Sequence, residues 1–160
     1  MKLLPSLAFT LLLPISSTVF AQSGLSGDWE CTMTLDEASS GSATYTIQFD
    51  EKNSRFKRTA TQSLDIKIMD VNKVEIVTIE EGTYSLTKAE LRLSPLKFDY
   101  TIVKGKKLFD MGFKPFDKFK EDLVTTGLED ETNEITELTD TVLTLRNDEF
   151  EHTANCQKAP

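Results

Sequence analysis

Residues 27–35 read GDWECTMTL. From Trp29 to Leu35 the odd positions carry apolar side chains or a cysteine, whereas the even positions carry Glu or Thr. Alternation with a period of two is typical of a half-buried strand, because successive side chains of a strand point to opposite faces. The stretch therefore predicts a first antiparallel strand with one face on a core.

Two cysteines extend this argument to the other end of the chain. Cys31 lies within the predicted first strand, and Cys156 lies on a late alternating segment, on the same face as Phe150 and Ala154. A redox dithiol usually shows Cys-x-x-Cys, and zinc needs more ligands than these cysteines and His152 supply. We therefore expect a structural Cys31–Cys156 disulfide, which requires Cα atoms within about 7 Å. A sandwich could bring the first and last strands together, but closure of a barrel does so with fewer assumptions.

Alternating segments recur through the chain at spacings of about 8 to 12 residues, the pattern of a sandwich or an up-and-down barrel. We expect an all-β fold, an antiparallel up-and-down β-barrel of about eight strands. Besides the first strand, the alternating segments are 42–49, 55–62, 64–68, 74–79, 84–86, 91–93, 98–102, 141–146 and 150–156.

Several segments break this alternation. Residues 80–82 predict a turn, Pro95 predicts the end of a strand, and residues 129–137 predict a solvated acidic loop leading into a strand. One short helix is expected near residues 116–126, before the last two strands. Its apolar stripe consists of Phe116, Phe119, Leu123 and Val124. Asp117 is the expected N-cap, and Gly127 follows the end of the helix.

The N-terminal residues 1–21 are typical of a cleaved signal peptide. Lys2 precedes an apolar run over residues 3–20, which is barely long enough to span a bilayer and is interrupted by Pro14. We expect cleavage after Ala21, which leaves one domain at residues 22–160. Residue 22 is Gln22, so the cysteine of a lipid-anchored protein is missing. The sequence thus predicts a periplasmic or secreted protein without a stable membrane anchor.

The charge of the chain excludes some partners. Its formal net charge is −8 and becomes more negative once Lys2 is removed. Such a surface repels phosphate backbones and anionic lipids, so we expect no nucleic-acid partner and no electrostatic membrane attachment. The sequence does not indicate an oligomeric state.

The sequence contains no recognisable catalytic, cofactor or metal-binding motif. His152 is the single histidine, and we expect it to be a packed or rim residue because no nucleophile pairs with it by motif. The acidic run Glu129–Glu131 lacks the spacing of a calcium loop. We therefore expect no enzyme, no cofactor and no metal site. A hydrolase would need a carboxylate pair in a cleft or a site centred on His152.

Aromatic residues are the one feature that suggests a ligand. The ten Phe and three Tyr could fill a small barrel, or some could line a cavity. Eight strands are just enough to hold one small ligand, and such pockets are mainly apolar. We take a small hydrophobic ligand as the working prediction, and a filled barrel acting as a protein-interaction or inhibitor module as the alternative. The candidate cavity residues are Tyr45, Phe49, Phe56, Tyr84, Phe98 and Tyr100.

Two short motifs give the predicted barrel a family resemblance. Gly27-Asp28-Trp29 resembles the G-x-W motif of lipocalins and lipocalin-like proteins of the calycin group, at the start of the first strand. Residues 98–100 (FDY) partly match the T-D-Y motif of that family, and residues 138–145 resemble a stretch of small bacterial exported lipocalin-like proteins, mostly of unassigned function.

The resemblance implies structural roles for three residues. Gly27 and Trp29 would begin the barrel, with the tryptophan as a plug at its closed end, and an arginine from a late strand would pack across it. Arg146 is the residue at the matching position. The resemblance also implies a non-enzymatic protein that binds or carries a small hydrophobic ligand.

Overall fold

Eight strands follow one another around a closed antiparallel barrel in the computed structural model, which describes residues 24–35, 42–64, 74–106 and 114–160. This confirms the predicted up-and-down barrel with one short helix. The elements are β1 (Gly27–Leu35), β2 (Ser42–Asp50), β3 (Arg55–Leu64), β4 (Val74–Leu86), β5 (Glu90–Lys104), α1 (Lys114–Thr126), β6 (Glu131–Leu138), β7 (Val142–Asn147) and β8 (His152–Lys158).

The barrel closes between its first and last strands. β1 pairs with β8 in a register that runs from Trp29 opposite Lys158 to Leu35 opposite His152. Cys31 and Cys156 stand directly opposite each other in this register and form a disulfide. The predicted covalent bond between the first and last strands is thereby confirmed.

The β4–β5 hairpin corrects two predictions. β4 continues through residues 80–82, where a turn was predicted, and β5 continues through Pro95, where a strand end was predicted. Gly82 pairs with Pro95 beside a register shift, and such a bulge accommodates a residue that cannot donate to the ladder. A Cβ on Gly82 would lie 2.2 Å from the backbone oxygen of Ser94, so this close approach requires glycine.

The segment after the helix is a third correction. The predicted acidic loop at 129–137 is mostly strand, because β6 begins at Glu131 and pairs with β5 over Glu90–Leu93. The helix therefore precedes the last three strands instead of the last two. β5 pairs with β6 only over Glu90–Leu93 in the described residues, and from Ser94 to Lys104 it pairs with β4 alone.

Two predictions fall outside the described residues: the signal peptide at 1–21 and most of the alternating segment 64–68. In the part of the chain that the structure covers, no helix combines the length and apolarity needed to cross a membrane.

Helix α1 packs on the long β4–β5 hairpin. Phe119 and Leu123 contact the buried pair Val74 and Ile76 of β4. Asp117 is not the N-cap, because the helix begins at Lys114 and places Asp117 in its first turn. The apolar stripe thus gives α1 a fixed position on the barrel.

The barrel interior has two different ends. One end is filled by side chains that are at most 3% exposed, and we call it the apolar end; its residues are Leu25, Trp29, Ile47, Phe49, Phe56, Leu91, Leu93, Leu143 and Leu145. The other end lies beside α1 and carries charged side chains on the same inner face. We call it the polar end.

Candidate functional site

An arginine between two carboxylates forms the centre of the polar end. Arg58 on β3 stands opposite Glu80 on β4, and its Nε and Nη2 lie 2.8 and 2.6 Å from Glu80 Oε2. Its Nη1 donates a hydrogen bond of 2.7 Å to Oε2 of Glu131 on β6. The three side chains are 17, 9 and 12% exposed, so this ion network is largely removed from water.

Two further polar side chains complete this group. The guanidinium carbon of Arg58 lies 5.7 Å from the ring centroid of Tyr45, within the range of a cation–π contact. His152 Nε2 lies 4.0 Å from Glu131 Oε1. We call these five residues (Tyr45, Arg58, Glu80, Glu131 and His152) the Arg58 cluster.

Burial and charge shift the pKa values of the two carboxyl groups in opposite directions. Burial raises the pKa of Glu80, and the neighbouring Arg58 offsets this only in part. For Glu131, burial also acts to raise the pKa, but the charge and hydrogen bond of Arg58 outweigh it and hold the pKa below its ordinary range. Asn133 and His152 also lower the pKa of Glu131, whereas the charge of Glu131 raises that of Glu80.

Arg58 and Tyr45 keep their usual protonation states at neutral pH. Burial opposes the charge of Arg58, but Glu131 and Glu80 together raise the pKa of its guanidinium. Burial raises the pKa of Tyr45, so its hydroxyl group remains neutral. The cluster therefore places two carboxyl groups around a single guanidinium.

A cavity of about 350 Å³ lies against the Arg58 cluster. All five residues of the cluster line it, together with Gln62 and Thr78 of β3 and β4. The remainder of its wall is largely apolar and comes from the barrel, the β7–β8 turn and the helix: Met33, Ala60, Pro95, Phe98, Leu123 and Phe150. The cavity is therefore lined by charged side chains on one side and by apolar side chains on the other.

The C-terminal end of α1 forms one side of the cavity. Leu123 and Thr126 line it, and Gly127 follows the helix directly. A Cβ on Gly127 would lie 2.2 Å from the ring of Phe98, so glycine lets the helix end approach β5 closely. The predicted position of Gly127 after the helix is correct, and the structure adds a packing reason for it.

The structure divides the six predicted cavity residues between three places. Tyr45 and Phe98 line the cavity. Phe49 and Phe56 are buried in the apolar end, where the Phe49 ring makes an edge contact with Tyr84 at 5.0 Å between centroids. Tyr100 instead packs against Val74 and Ile76, beside α1.

The three predicted structural residues also have different environments. Gly27 has a φ of +112°, which favours glycine, and Trp29 is fully buried in the apolar end. The indole nitrogen of Trp29 donates a 2.8 Å hydrogen bond to the carbonyl of Leu25. The expectation for Arg146 is wrong, because its side chain is exposed and pairs with Asp148 at 2.7 Å.

Lys158, not Arg146, provides the cation beside the tryptophan. Its Nζ lies 5.4 Å from the centroid of the Trp29 ring, and the register places Lys158 opposite Trp29. The reason is topological, since Arg146 has an outward position on β7 whereas Lys158 ends the strand that pairs with β1.

Sequence reasoning missed the charged centre of the site, although a signal was present. Arg58 lies two residues from Phe56 and from Ala60, and Glu80 lies in phase with Val74 and Ile76. A charged residue in the inward phase of an alternating strand indicates a buried ionic group, because side chains of one phase share one face. Glu131 lay in an acidic run that was predicted to be solvated.

Comparisons with known proteins identify no family for the chain. No protein-family model matches the sequence, and no curated protein matches it. Among solved structures, an uncharacterized protein from Bacteroides eggerthii DSM 20697 is similar, with a TM-score of 0.46 and 14% sequence identity. The match covers 84% of this chain and 98% of that one.

Proposed function

We propose that this protein is an exported, lipocalin-like, non-enzymatic carrier that binds one small molecule in the cavity at the polar end of the barrel. The cavity itself is the observation that carries the proposal, since a filled interior would leave no volume for a ligand. It favours a carrier over a module that acts through the outer surface of a filled barrel. The disulfide is compatible with an oxidising compartment outside the cytoplasm.

The size and lining of the cavity restrict its ligand. A volume of about 350 Å³ is near the lower end of small-molecule sites, so a ligand with one ring or a short alkyl chain fits best. Phe98, Leu123 and Phe150 offer it apolar contacts. The ligand is thus amphipathic, because the opposite side of the same cavity consists of the Arg58 cluster.

Two variants of β3 test this proposal with a matched control. Ala60→Phe places a ring in the cavity, whereas Thr61→Phe places the same ring at the neighbouring exposed position. The panel comprises short alkanols, fatty acids, alkylamines and monocyclic aromatic compounds, measured by thermal melts and calorimetry. A ligand at about 100 times its Kd stabilises the fold by about 2.7 kcal/mol.

We expect stabilisation of the wild type and of Thr61→Phe by at least one class, and a loss of binding in Ala60→Phe. The proposal fails if no member of the panel binds the wild type. It also fails if Ala60→Phe, once shown to be folded, binds as well as Thr61→Phe.

A second candidate function, hydrolysis by a carboxylate pair, is favoured by one observation. Glu80 and Glu131 share a cavity, and their pKa values are shifted apart, as in acid–base pairs of hydrolases. Against it, Oε2 of both groups accepts hydrogen bonds from Arg58, which stabilises the ionised forms and opposes a general acid. Turnover of chromogenic glycosides that Glu131→Gln abolishes would support the hydrolase and contradict the carrier.

A further inference from the structure

The Arg58 cluster holds two carboxyl groups beside one guanidinium. Arg58 meets two carboxylates, and both are more than four-fifths buried. A charge in such an environment is costly unless it is paired, and one guanidinium cannot neutralise two carboxylates. Glu129 also lines the cavity and adds a further acidic group at a more exposed position. The cavity therefore favours an occupant that brings positive charge.

The hydrogen bonds that Arg58 donates use one oxygen of each carboxylate. Arg58 binds Oε2 of Glu80 and Oε2 of Glu131, so neither Oε1 atom takes part in these bonds. Glu131 Oε1 lies 4.0 Å from His152 Nε2, which is longer than a hydrogen bond. An ionised carboxylate accepts through both oxygens, whereas an ammonium group donates up to three hydrogen bonds.

We propose that the ligand of this cavity is a small amphipathic amine, whose ammonium group binds between the carboxylates of Glu80 and Glu131 while its apolar body packs against Phe98 and Leu123. This inference rests on the proposed carrier function and names the chemical class of its ligand. The phenol ring of Tyr45, beside the carboxylates, adds an aromatic face that also attracts cations.

An anionic ligand fits the same site less well. Arg58 is the one Lys or Arg among the described residues that line the cavity, and its donors already bind Glu80 and Glu131. A carboxylate or phosphate would add a further acidic group beside Glu80 and Glu131. A neutral alcohol avoids this repulsion but gains no charge-assisted bond.

Two matched ligand series test the inference by calorimetry on the protein from residue 22 onward. One comprises 2-phenylethylamine, 2-phenylethanol and 3-phenylpropionate; the other comprises octylamine, octanol and nonanoate. We expect each amine that binds to do so at least tenfold more tightly than its alcohol, with no detectable binding of the acid. Equal or tighter binding of an alcohol or an acid overturns the inference.

Charge-neutral variants show whether the two carboxylates cause the preference. Glu131→Gln and Glu80→Gln should each reduce the amine-to-alcohol affinity ratio at least tenfold. Glu134→Gln on the same strand is the control, because that side chain is exposed and does not line the cavity. If one buried variant fails to fold, the other decides; an undiminished amine preference in a folded buried variant overturns the inference.

The outcomes separate the two proposals. If neither series binds but another class of the larger panel does, the amine inference is wrong and the carrier function stands. If nothing in either set of compounds binds, the carrier function itself is wrong.

Discussion

Inward-facing side chains are apolar at one end of the barrel and include charged groups at the other. At the apolar end, Trp29, Phe49 and Leu93 are at most 2% exposed and fill the interior. At the polar end, Arg58 and Glu80 occupy equivalent inward positions of neighbouring strands and border a cavity. Close packing stabilises a fold, whereas buried charge stabilises it weakly or not at all. The comparison indicates that stability resides mainly at the apolar end, whereas the proposed ligand site is at the polar end.

The disulfide connects these two regions, and its removal should have the largest effect on stability. Cys31 and Cys156 belong to the core cluster, and Cys156 Sγ lies 4.0 Å from the hydroxyl group of Tyr45. The bond joins residues 125 positions apart, and chain entropy for such a loop corresponds to about 4 to 5 kcal/mol. We expect Cys31→Ala with Cys156→Ala to lower the free energy of unfolding by up to this amount in urea titrations. The reduced wild type serves as control, and unchanged midpoints in both would contradict the expectation.

Substitutions at the centre of each end should cost similar free energy at pH 7 but differ in their pH dependence. Trp29→Ala removes a buried ring and should cost about 3 to 5 kcal/mol. Arg58→Met leaves Glu80 and Glu131 buried without a counter-charge and should also cost about 3 to 5 kcal/mol. As the pH falls and the two carboxyl groups are protonated, the deficit of Arg58→Met should shrink while that of Trp29→Ala persists. Chemical denaturation across this pH range measures both losses of unfolding free energy. The same pH dependence in both variants would contradict the proposed difference between the two ends.

The two carboxylates should contribute unequally to stability. Because the pKa of Glu131 is lowered in the fold, its ionised form stabilises the protein above the ordinary pKa of Glu, about 4.3, and this contribution is lost as the pH falls through the lowered value. The raised pKa of Glu80 has the opposite sign, so its ionised form costs stability at pH 7. We expect Glu131→Gln to lose about 1 to 3 kcal/mol at pH 7 and Glu80→Gln to lose less. Urea titrations at pH 7 and pH 4 measure both; a larger loss for Glu80→Gln would refute the assignment.

The smallest effect concerns the residue that the lipocalin resemblance selected. Arg146 and Asp148 form an exposed pair, so Arg146→Ala should change stability by less than about 1 kcal/mol. Lys158→Met removes the cation beside Trp29 and should cost about 0.5 to 1 kcal/mol, with a shift in Trp29 fluorescence. A fluorescence change in Arg146→Ala, but not in Lys158→Met, would show that the arginine is the true partner of the tryptophan.

Strand positions were predictable where alternation is strict and less so where a bulge or a buried charge interrupts it. In β1 and β2, apolar and polar residues alternate without exception over residues 29–35 and 42–49. Gly82 and Pro95 are local turn signals, yet the two strands continue because these residues meet at a bulge. That pairing is a tertiary event, so the local sequence of either strand could not indicate it.

The amino-acid sequence was sufficient to predict antiparallel strands and the meeting of the first and last strands, and it favoured a barrel over a sandwich. Alternation specifies which side chains face inward, and two cysteines in inward phase on the first and last strands require those strands to meet. Only the tertiary structure decided which part of the interior is core and which is cavity. The alternation phase of a strand indicates whether a side chain points inward. The position of the cavity depends on strand register and on where α1 packs. For this reason Phe49 and Phe98, equivalent by sequence criteria, lie at opposite ends of the barrel, one in the core and one in the wall of the site.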